Sequence, residues 1–328
     1  MRVAVVGAGI MGCASAWALT KEGHDVVLYE QFRVGHDRGS SHGRSRIVRL
    51  AYPEVKWVRM AQESMDSWRE LEHEAGTQVL ELNGLVELVG DPSQGSADAL
   101  AAADAEFELL EAEDARARWP IGVPDGWAVL YQPEAGIVRA DLALRAFLDC
   151  ALARGAELRE DTQIDDISAL DADAVVVTAG AWIGKLVDDV PVRPTRETLA
   201  YFRRDGALPS IVQLDPETRG HALYSLHDPK YGLKAGLHHA GIEVDPDEPG
   251  EPNPQLLDRI STWVAATYSD VDPTPVDAET CLYTNTEDES FIFDSRERLV
   301  VCSACSGHGF KFAPVIGKRV AKMADGIL

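Results

Sequence analysis

The 328-residue sequence has no apolar run approaching the roughly twenty residues that a membrane-spanning helix needs, so a transmembrane protein is excluded as an expectation. Cysteine is scarce: five, at positions 13, 150, 281, 302 and 305, an odd number without a disulfide-like framework. That usage fits a reducing compartment. Positive charge is also short, 31 Lys and Arg against 54 Asp and Glu, for a net −23. So acidic a chain repels phosphate backbones and anionic membrane surfaces, which argues against nucleic-acid or membrane partners. Gly and Pro, 27 and 17, are too few for a collagen-like or disordered chain. The apolar opening Val3-Ala4-Val5-Val6 breaks at once into Gly7-Ala8-Gly9. A signal peptide needs a longer core, so a cytoplasmic location is expected.

What is present begins with that break. Residues 2–6 read as a buried parallel strand, 10–22 as a helix closed by Gly23, and 25–30 as a second strand ending in an acid. Between the first strand and the helix lies Gly7-Ala8-Gly9-Ile10-Met11-Gly12. The spacing is that of a dinucleotide fingerprint. Gly7 permits the tight turn, Gly9 lets backbone approach a pyrophosphate, and Gly12 lets the helix pack closely, with the helix N-terminus facing the phosphates. Glu30, about 20 residues on, is placed to bind ribose hydroxyls. An acid there favours FAD or NAD over NADP, and the motif does not separate FAD from NAD.

At roughly 150 residues per domain the length suggests two domains. The pattern predicts helices at 55–75, 95–119, 140–154, 254–268 and 312–324. Strands are predicted as a hairpin over 78–90 around Asn83-Gly84, at 126–139, 173–178, 299–303, and several within 196–239 and 273–294. Ala179-Gly180-Ala181 after the strand at 173–178 is a second place where backbone can approach a ligand. The layout predicts an α/β protein: a discontinuous Rossmann-like dinucleotide domain (1–75, 135–190 and 284–328) with a β-rich substrate domain (76–134 and 191–283) inserted.

In this acidic chain, arginines concentrate between residues 33 and 49. If 42–49 is helical, His42, Arg46 and Arg49 share a face; if extended, Arg46 and Arg49 point to opposite sides. Fixed guanidinium groups beside a cofactor loop suit a carboxylate, which they grip as a bidentate fork. In a strand, Lys234 and His238 share a face, because four is an even offset. Ser306-Gly307-His308-Gly309-Phe310-Lys311-Phe312 stands at the mouth of the last predicted helix, where glycines permit close approach. Cys302-x-x-Cys305 has no second pair, and His227, His238 and His239 lack a carboxylate cluster at ligand spacing, so no metal is expected. By sequence physics alone Cys281 is a small buried residue in a strand.

Five ordered motifs together resemble the monomeric sarcosine oxidase family, which includes N-methyltryptophan oxidase and pipecolate oxidase, within the D-amino-acid-oxidase group of flavoproteins. They are Gly-Ala-Gly-Ile-Met-Gly at 7–12, Ser-His-Gly-x-x-Arg-x-x-Arg at 41–49, Gly-Leu-Lys-x-Gly-x-His at 232–238, Thr-Cys-x-Tyr-Thr at 280–284 and Ser-Gly-His-Gly-Phe-Lys-Phe at 306–312. The resemblance implies FAD held covalently through a thioether to Cys281, with Gly7, Gly9, Gly12, Glu30, Ser41, Gly180, Gly307 and Gly309 also at the cofactor. It implies that Arg49 and Lys311 hold a substrate carboxylate, that His238 and Tyr283 flank the amine, and that Tyr224 is a further active-site tyrosine. Lys234 is implied as the cation where oxygen is reduced, with His42 and Arg46 along the flavin face. The activity implied is oxidation of the C–N bond of a secondary or N-methyl amino acid, with hydrogen peroxide as co-product and a monomer as the working state. The residues taken alone leave an NAD-dependent dehydrogenase, or a flavoprotein that does not use oxygen, as alternatives. The chain departs from the family pattern in ending soon after its last predicted helix, in a short loop after Tyr52, and in Cys305 where an aromatic residue is common. These departures bear on substrate access and size.

Overall fold

The computed structural model describes residues 1–91, 95–214 and 222–327. The valine-rich strand Arg2–Val6, buried at four of its five positions, lies inside a six-stranded sheet. The order across that sheet is Ile292–Arg296, Leu299–Ser303, Ala174–Val177, Arg2–Val6, Asp25–Tyr29 and Glu157–Arg159. All neighbours are parallel except the edge pair Ile292–Arg296 and Leu299–Ser303. A parallel sheet must be covered on both faces, which is why these strands are continuous apolar runs. On one face helix Ile10–Lys21 packs against Ala140–Ala153 and Ala313–Asp325. The approach is close: a Cβ on Gly317 would stand 2.3 Å from the Ala14 carbonyl oxygen. The buried rings of Trp17, Phe147 and Trp68 fill the space behind.

The second sheet has nine strands. Its order is Ile242–Glu243, Arg193–Arg203, Gly232–Leu237, Leu223–Asp228, Ser210–Leu214, Leu85–Val89, Ala128–Gln132 and Glu108–Leu110, with Asp277–Asn285 also paired to Arg193–Arg203. Its register decides which side chains meet. Tyr201 is opposite Lys234, Leu199 opposite both Gly236 and Glu279, Glu197 opposite Cys281, and Thr195 opposite Tyr283. Tyr224 is opposite Gly236 and Val212. Directly opposed residues share a face, so one face gathers Val212, Tyr224, Lys234, Glu279, Cys281 and Tyr283. The alternate residues Ala200, Phe202, Ile211, Leu233 and Ala235 pack on the other face against Ile260, Trp263 and Val264 of helix Pro254–Thr267. A three-stranded sheet of Ser45–Val48, Gly136–Arg139 and Leu80–Glu81 completes the β-structure.

Two sequence expectations are corrected. The strands flanking Asn83-Gly84 do not form a hairpin. Leu80–Glu81 pairs with Gly136–Arg139, whereas Leu85–Val89 pairs with Ala128–Gln132 and Ser210–Leu214 in the large sheet. Gly84, at φ +88°, carries the chain between sheets and donates its N–H to the Ala135 carbonyl, 2.8 Å away. The helix predicted over 95–119 is two short helices, Ala97–Ala102 and Ala112–Arg118, around strand Glu108–Leu110. Asp104, at φ +53°, ends the first helix, and pairing with Ala128–Gln132 draws the following residues into the sheet against their helical propensity. Residues 215–221 of the predicted 196–239 strand region lie outside the described residues. Among the described residues no helix is long and apolar enough to cross a membrane.

Candidate active site

A cavity of about 620 Å³ runs from the Gly7–Gly12 loop to Lys311, between the parallel sheet and the face of the large sheet that carries Lys234 and Cys281. Of the residues that the resemblance assigns to cofactor, substrate or catalysis, all but Gly12 and His42 line it.

At the glycine loop the turn is set by Gly7 (φ +95°), whose N–H donates to the Tyr29 carbonyl at 2.8 Å. Gly12 has a different use. A Cβ there would lie 1.8 Å from the Gly7 carbonyl oxygen, so this glycine lets the helix begin against its own loop. A Cβ on Gly9 would meet only the Ser41 Oγ, at 3.1 Å. The Ser41 hydroxyl accepts the Ile10 N–H at 3.0 Å, which ties the arginine-rich segment to the helix N-terminus. The Glu30 carboxylate, 5% exposed, accepts the Ala8 and Phe32 N–H groups at 2.9 and 3.0 Å. Both its oxygens are therefore oriented by backbone. Gly180, at φ +53° after strand Ala174–Val177, contributes the second close-approach turn on the cavity wall.

The segment 42–49 is not helical: it bends at Gly43, at φ +84°, and then runs as strand Ser45–Val48. Its arginines accordingly serve different ends of the cavity. The Arg46 guanidinium donates to the carbonyls of Ser40 (2.8 Å), His42 (2.7 Å) and Ser45 (2.9 Å), and lies over the Phe310 ring. It organises the loop and places positive charge near Cys281 and Lys234. Arg49 lies over the Tyr52 ring at 4.7 Å, with Nη1 3.8 Å from the buried Glu87. Lys311 converges on the same ring: its Nζ donates to the Tyr52 hydroxyl and the His308 carbonyl, both at 2.9 Å. Both acceptors are neutral. Burial, with Arg49 adding repulsion, holds the Lys311 ammonium well below its ordinary pKa. A carboxylate bound between half-buried Arg49 and buried Lys311 would relieve that repulsion and favour the charged form of Lys311.

Lys234 is 2% exposed. Burial and then Arg46 push its pKa down to about 8, against the opposing pull of Glu279, Cys281 and Asp228. Cys281 Sγ sits 3.7 Å from the Leu282 carbonyl and 3.9 Å from the Ser40 carbonyl. Burial raises its thiol to about 11, while Arg46 and Lys234 act in the other direction. His238 Nδ1 is 3.2 Å from the Tyr283 hydroxyl. Two glycines clear this end. A Cβ on Gly307 would be 2.3 Å from the Tyr283 ring and 2.4 Å from that of His238; one on Gly236 would be 2.6 Å from the Tyr224 hydroxyl. Gly309 plays the same part toward the backbone, where a Cβ would lie 1.9 Å from the Ala304 carbonyl oxygen.

His42 is buried behind the wall, with Nδ1 3.9 Å from Glu279, and burial and Arg46 lower its pKa to about 4. The histidine expected along the flavin face is thus not on the cavity wall but beside Glu279. Sequence reasoning passed over Tyr52 and Glu279. Tyr52 gave no local signal. Glu279 did: with Cys281 and Tyr283 it occupies alternate positions of one strand, hence one face. The fold also brings Glu289 to His239, Nε2 to Oε1 3.4 Å. With His238 these form a cluster of metal-ligating side chains that the sequence spacing did not contain. All five cysteines are free thiols, Cys302 and Cys305 included.

Residues 2–323 match the family of FAD dependent oxidoreductases. The chain belongs to that family. It is 34% identical to the peroxisomal sarcosine oxidase of Homo sapiens, an alignment covering 98% of this chain and 91% of the relative. It is 30% identical to a monomeric sarcosine oxidase of Bacillus sp. (strain B-0618), with the same coverages of 98% and 91%. Among solved structures, NikD, titled an unusual amino acid oxidase essential for nikkomycin biosynthesis, superposes with a TM-score of 0.86 at 24% identity. That match covers 98% of this chain and 93% of NikD, and it shows the shared fold. Family membership selects FAD between the two dinucleotides that the glycine motif left open, and makes the protein an FAD-dependent oxidoreductase.

Proposed function

We propose that this protein is a flavin-dependent oxidase of the C–N bond of a secondary or N-methyl amino acid of the sarcosine type. The observation that carries the reading is the convergence of two cation pairs, half-buried Arg49 with buried Lys311 and half-buried Arg46 with buried Lys234, on one cavity that begins at a dinucleotide loop. The residues present fit FAD: the glycine loop leaves room for a pyrophosphate, Glu30 is oriented at the strand end, and a thiol stands in the wall further along. When bound, FAD supplies two-electron oxidation and passes the electrons to oxygen.

The chain's own groups supply the rest. Arg49 and Lys311 bind the substrate carboxylate and so fix the position of the carbon to be oxidised, an orientation effect. His238 and Tyr283, already in contact with each other, flank the amine, and Tyr224 closes that side. Lys234 holds a positive charge where negative charge develops on oxygen, in a site where water does not screen it. The products are an imine, hydrolysed to an aldehyde and an amino acid, and hydrogen peroxide. We assign segments 1–75, 135–190 and 284–328 to the FAD-binding domain and 76–134 and 191–283 to the substrate domain, whose strands also bring Lys234 and Cys281 to the flavin. That no two cysteines are joined supports a reducing compartment, which we take as the cytoplasm, and we take the working state as a monomer.

Flavin-loaded protein is expected to release peroxide with sarcosine, other N-methyl amino acids or proline analogues. No peroxide from any of them overturns the reading. Covalent attachment through Cys281 predicts an intact mass one FAD heavier than the polypeptide. Cys281→Ala should lose that increment and release its flavin on denaturation; flavin retained covalently in this variant refutes the linkage. Oxygen reduction should also depend on pH with a definite sign. Lys234 is charged below its lowered pKa of about 8, so stopped-flow reoxidation should be fast at neutral pH and slow as pH rises through that value. A rate that climbs across this window would contradict the role given to Lys234.

A further inference from the structure

Lys234 is a buried ammonium, and burial alone favours its neutral form. Its surroundings can be enumerated. Arg46 faces it from strand Ser45–Val48, Tyr201 from Arg193–Arg203, Asp228 from Leu223–Asp228, and Glu279 and Cys281 from Asp277–Asn285; His42 lies behind Glu279. Arg46 opposes its charge. Asp228, fully buried, is already committed: it accepts from Arg44 Nε at 3.1 and 3.3 Å and from the N–H groups of Lys230 and Tyr231. Glu279 is left, with Oε1 3.5 Å from Lys234 Nζ.

Three features hold that carboxylate in place. The strand register puts Glu279 on the face of Cys281 and Tyr283. The Tyr201 hydroxyl donates to Oε1. Gly43, at φ +84°, leaves the space where the groups meet: a Cβ there would lie 3.3 Å from Glu279 Oε1, 3.4 Å from Arg46 Nη1 and 3.6 Å from Lys234 Nζ. Burial pushes the Glu279 carboxyl up, and Lys234, Tyr201, His42 and Arg46 outweigh it, leaving the group below its ordinary pKa and ionised.

Resting on the role proposed above for Lys234, we propose that Glu279 is a positioning residue whose carboxylate keeps Lys234 cationic beside the flavin. The sequence offers no lone signal for this, because the pair is separated by 45 residues and is made by the pairing of both strands with Arg193–Arg203. Its side chain is 27% exposed, so the rival account is a solvated surface acid that water screens from the lysine.

The test uses flavin-loaded protein labelled with ¹³C at lysine Cε. The resonance that disappears in Lys234→Met identifies Lys234, and its titration midpoint is then followed in wild type and in Glu279→Gln. Removing a carboxylate at this distance should lower the midpoint by about one pH unit or more. Reoxidation by oxygen should then fade at a correspondingly lower pH, while anaerobic reduction by substrate stays unchanged. Glu279→Asp, which keeps the charge, should recover most of the wild-type midpoint. Glu279→Ser, which removes the charge without adding bulk, should repeat the effect of Gln and replaces it if that variant fails to load flavin. An unmoved midpoint overturns the proposal. A midpoint that moves while the oxygen step does not follow overturns the assignment of Lys234 to oxygen reduction and leaves the ion pair standing.

Discussion

Lys234→Met is expected to slow reoxidation of the reduced enzyme by oxygen by about 10²–10³-fold, the usual loss when one preorganised electrostatic group is removed from a transition state. Anaerobic reduction by sarcosine should change only a few-fold, because the groups that bind the amino acid lie at the Arg49 end of the cavity. The separation of the two half-reactions is what makes the result informative. Lys234 is 2% exposed and surrounded by protein, so its charge acts at low effective dielectric and no solvent cation can replace it. Methionine has nearly the same length and no charge, and it relieves the cost of burying an ammonium. The variant should therefore fold at least as well as the wild type. Stopped-flow traces of the two half-reactions decide the matter. Equal reoxidation rates in variant and wild type would remove Lys234 from the chemistry.

Arg49→Met should act on the other half-reaction. Losing a bidentate, charge-assisted contact costs about 3 kcal/mol, or about 10²-fold in kcat/KM for an amino-acid substrate. The loss should appear chiefly in KM. A control separates carboxylate binding from damage to the site. The wild type should prefer an N-methyl amino acid strongly over the amine that lacks its carboxylate, and the variant should discriminate little between them. Lys311 remains in the variant and gains charge there, since Arg49 is one of the two causes depressing its pKa. That compensation keeps the expected loss from exceeding about 10²-fold. Saturation at wild-type substrate concentrations would refute the carboxylate clamp.

Particular residues show how far the chain could be read in advance. The glycine loop and Glu30 were legible because each is a local backbone requirement: a positive φ at Gly7, a missing Cβ at Gly12, and an acid at a strand end. Lys234 was legible as a strand residue, whereas His238, expected on the same strand, lies in the turn just past the end of Gly232–Leu237, so the even-offset rule does not carry to it. Arg46 and Arg49 were ambiguous, since 42–49 suits a helix or a strand until pairing with Gly136–Arg139 settles it. The hairpin at 78–90 misled because Asn-Gly specifies a turn and not its partner; the two strands found different sheets. Ala-rich residues 95–119 misled because helical propensity is a small energy, and an open sheet edge outweighs it. His42, which the resemblance puts along the flavin face, is buried with Nδ1 3.9 Å from Glu279 and is not among the cavity-lining residues, a depth that only the tertiary structure sets.

Local chemistry by itself determined the dinucleotide turn, the valine-rich parallel strands, and the candidate residues that share a strand face, because these depend only on neighbours along the chain. Tertiary structure decided which cations meet. Arg49 joins Lys311 across the Tyr52 ring, and Lys234 finds Glu279 because both their strands pair with Arg193–Arg203. Contacts between segments tens to hundreds of residues apart depend on sheet register and burial, and these exist only once the whole core has closed.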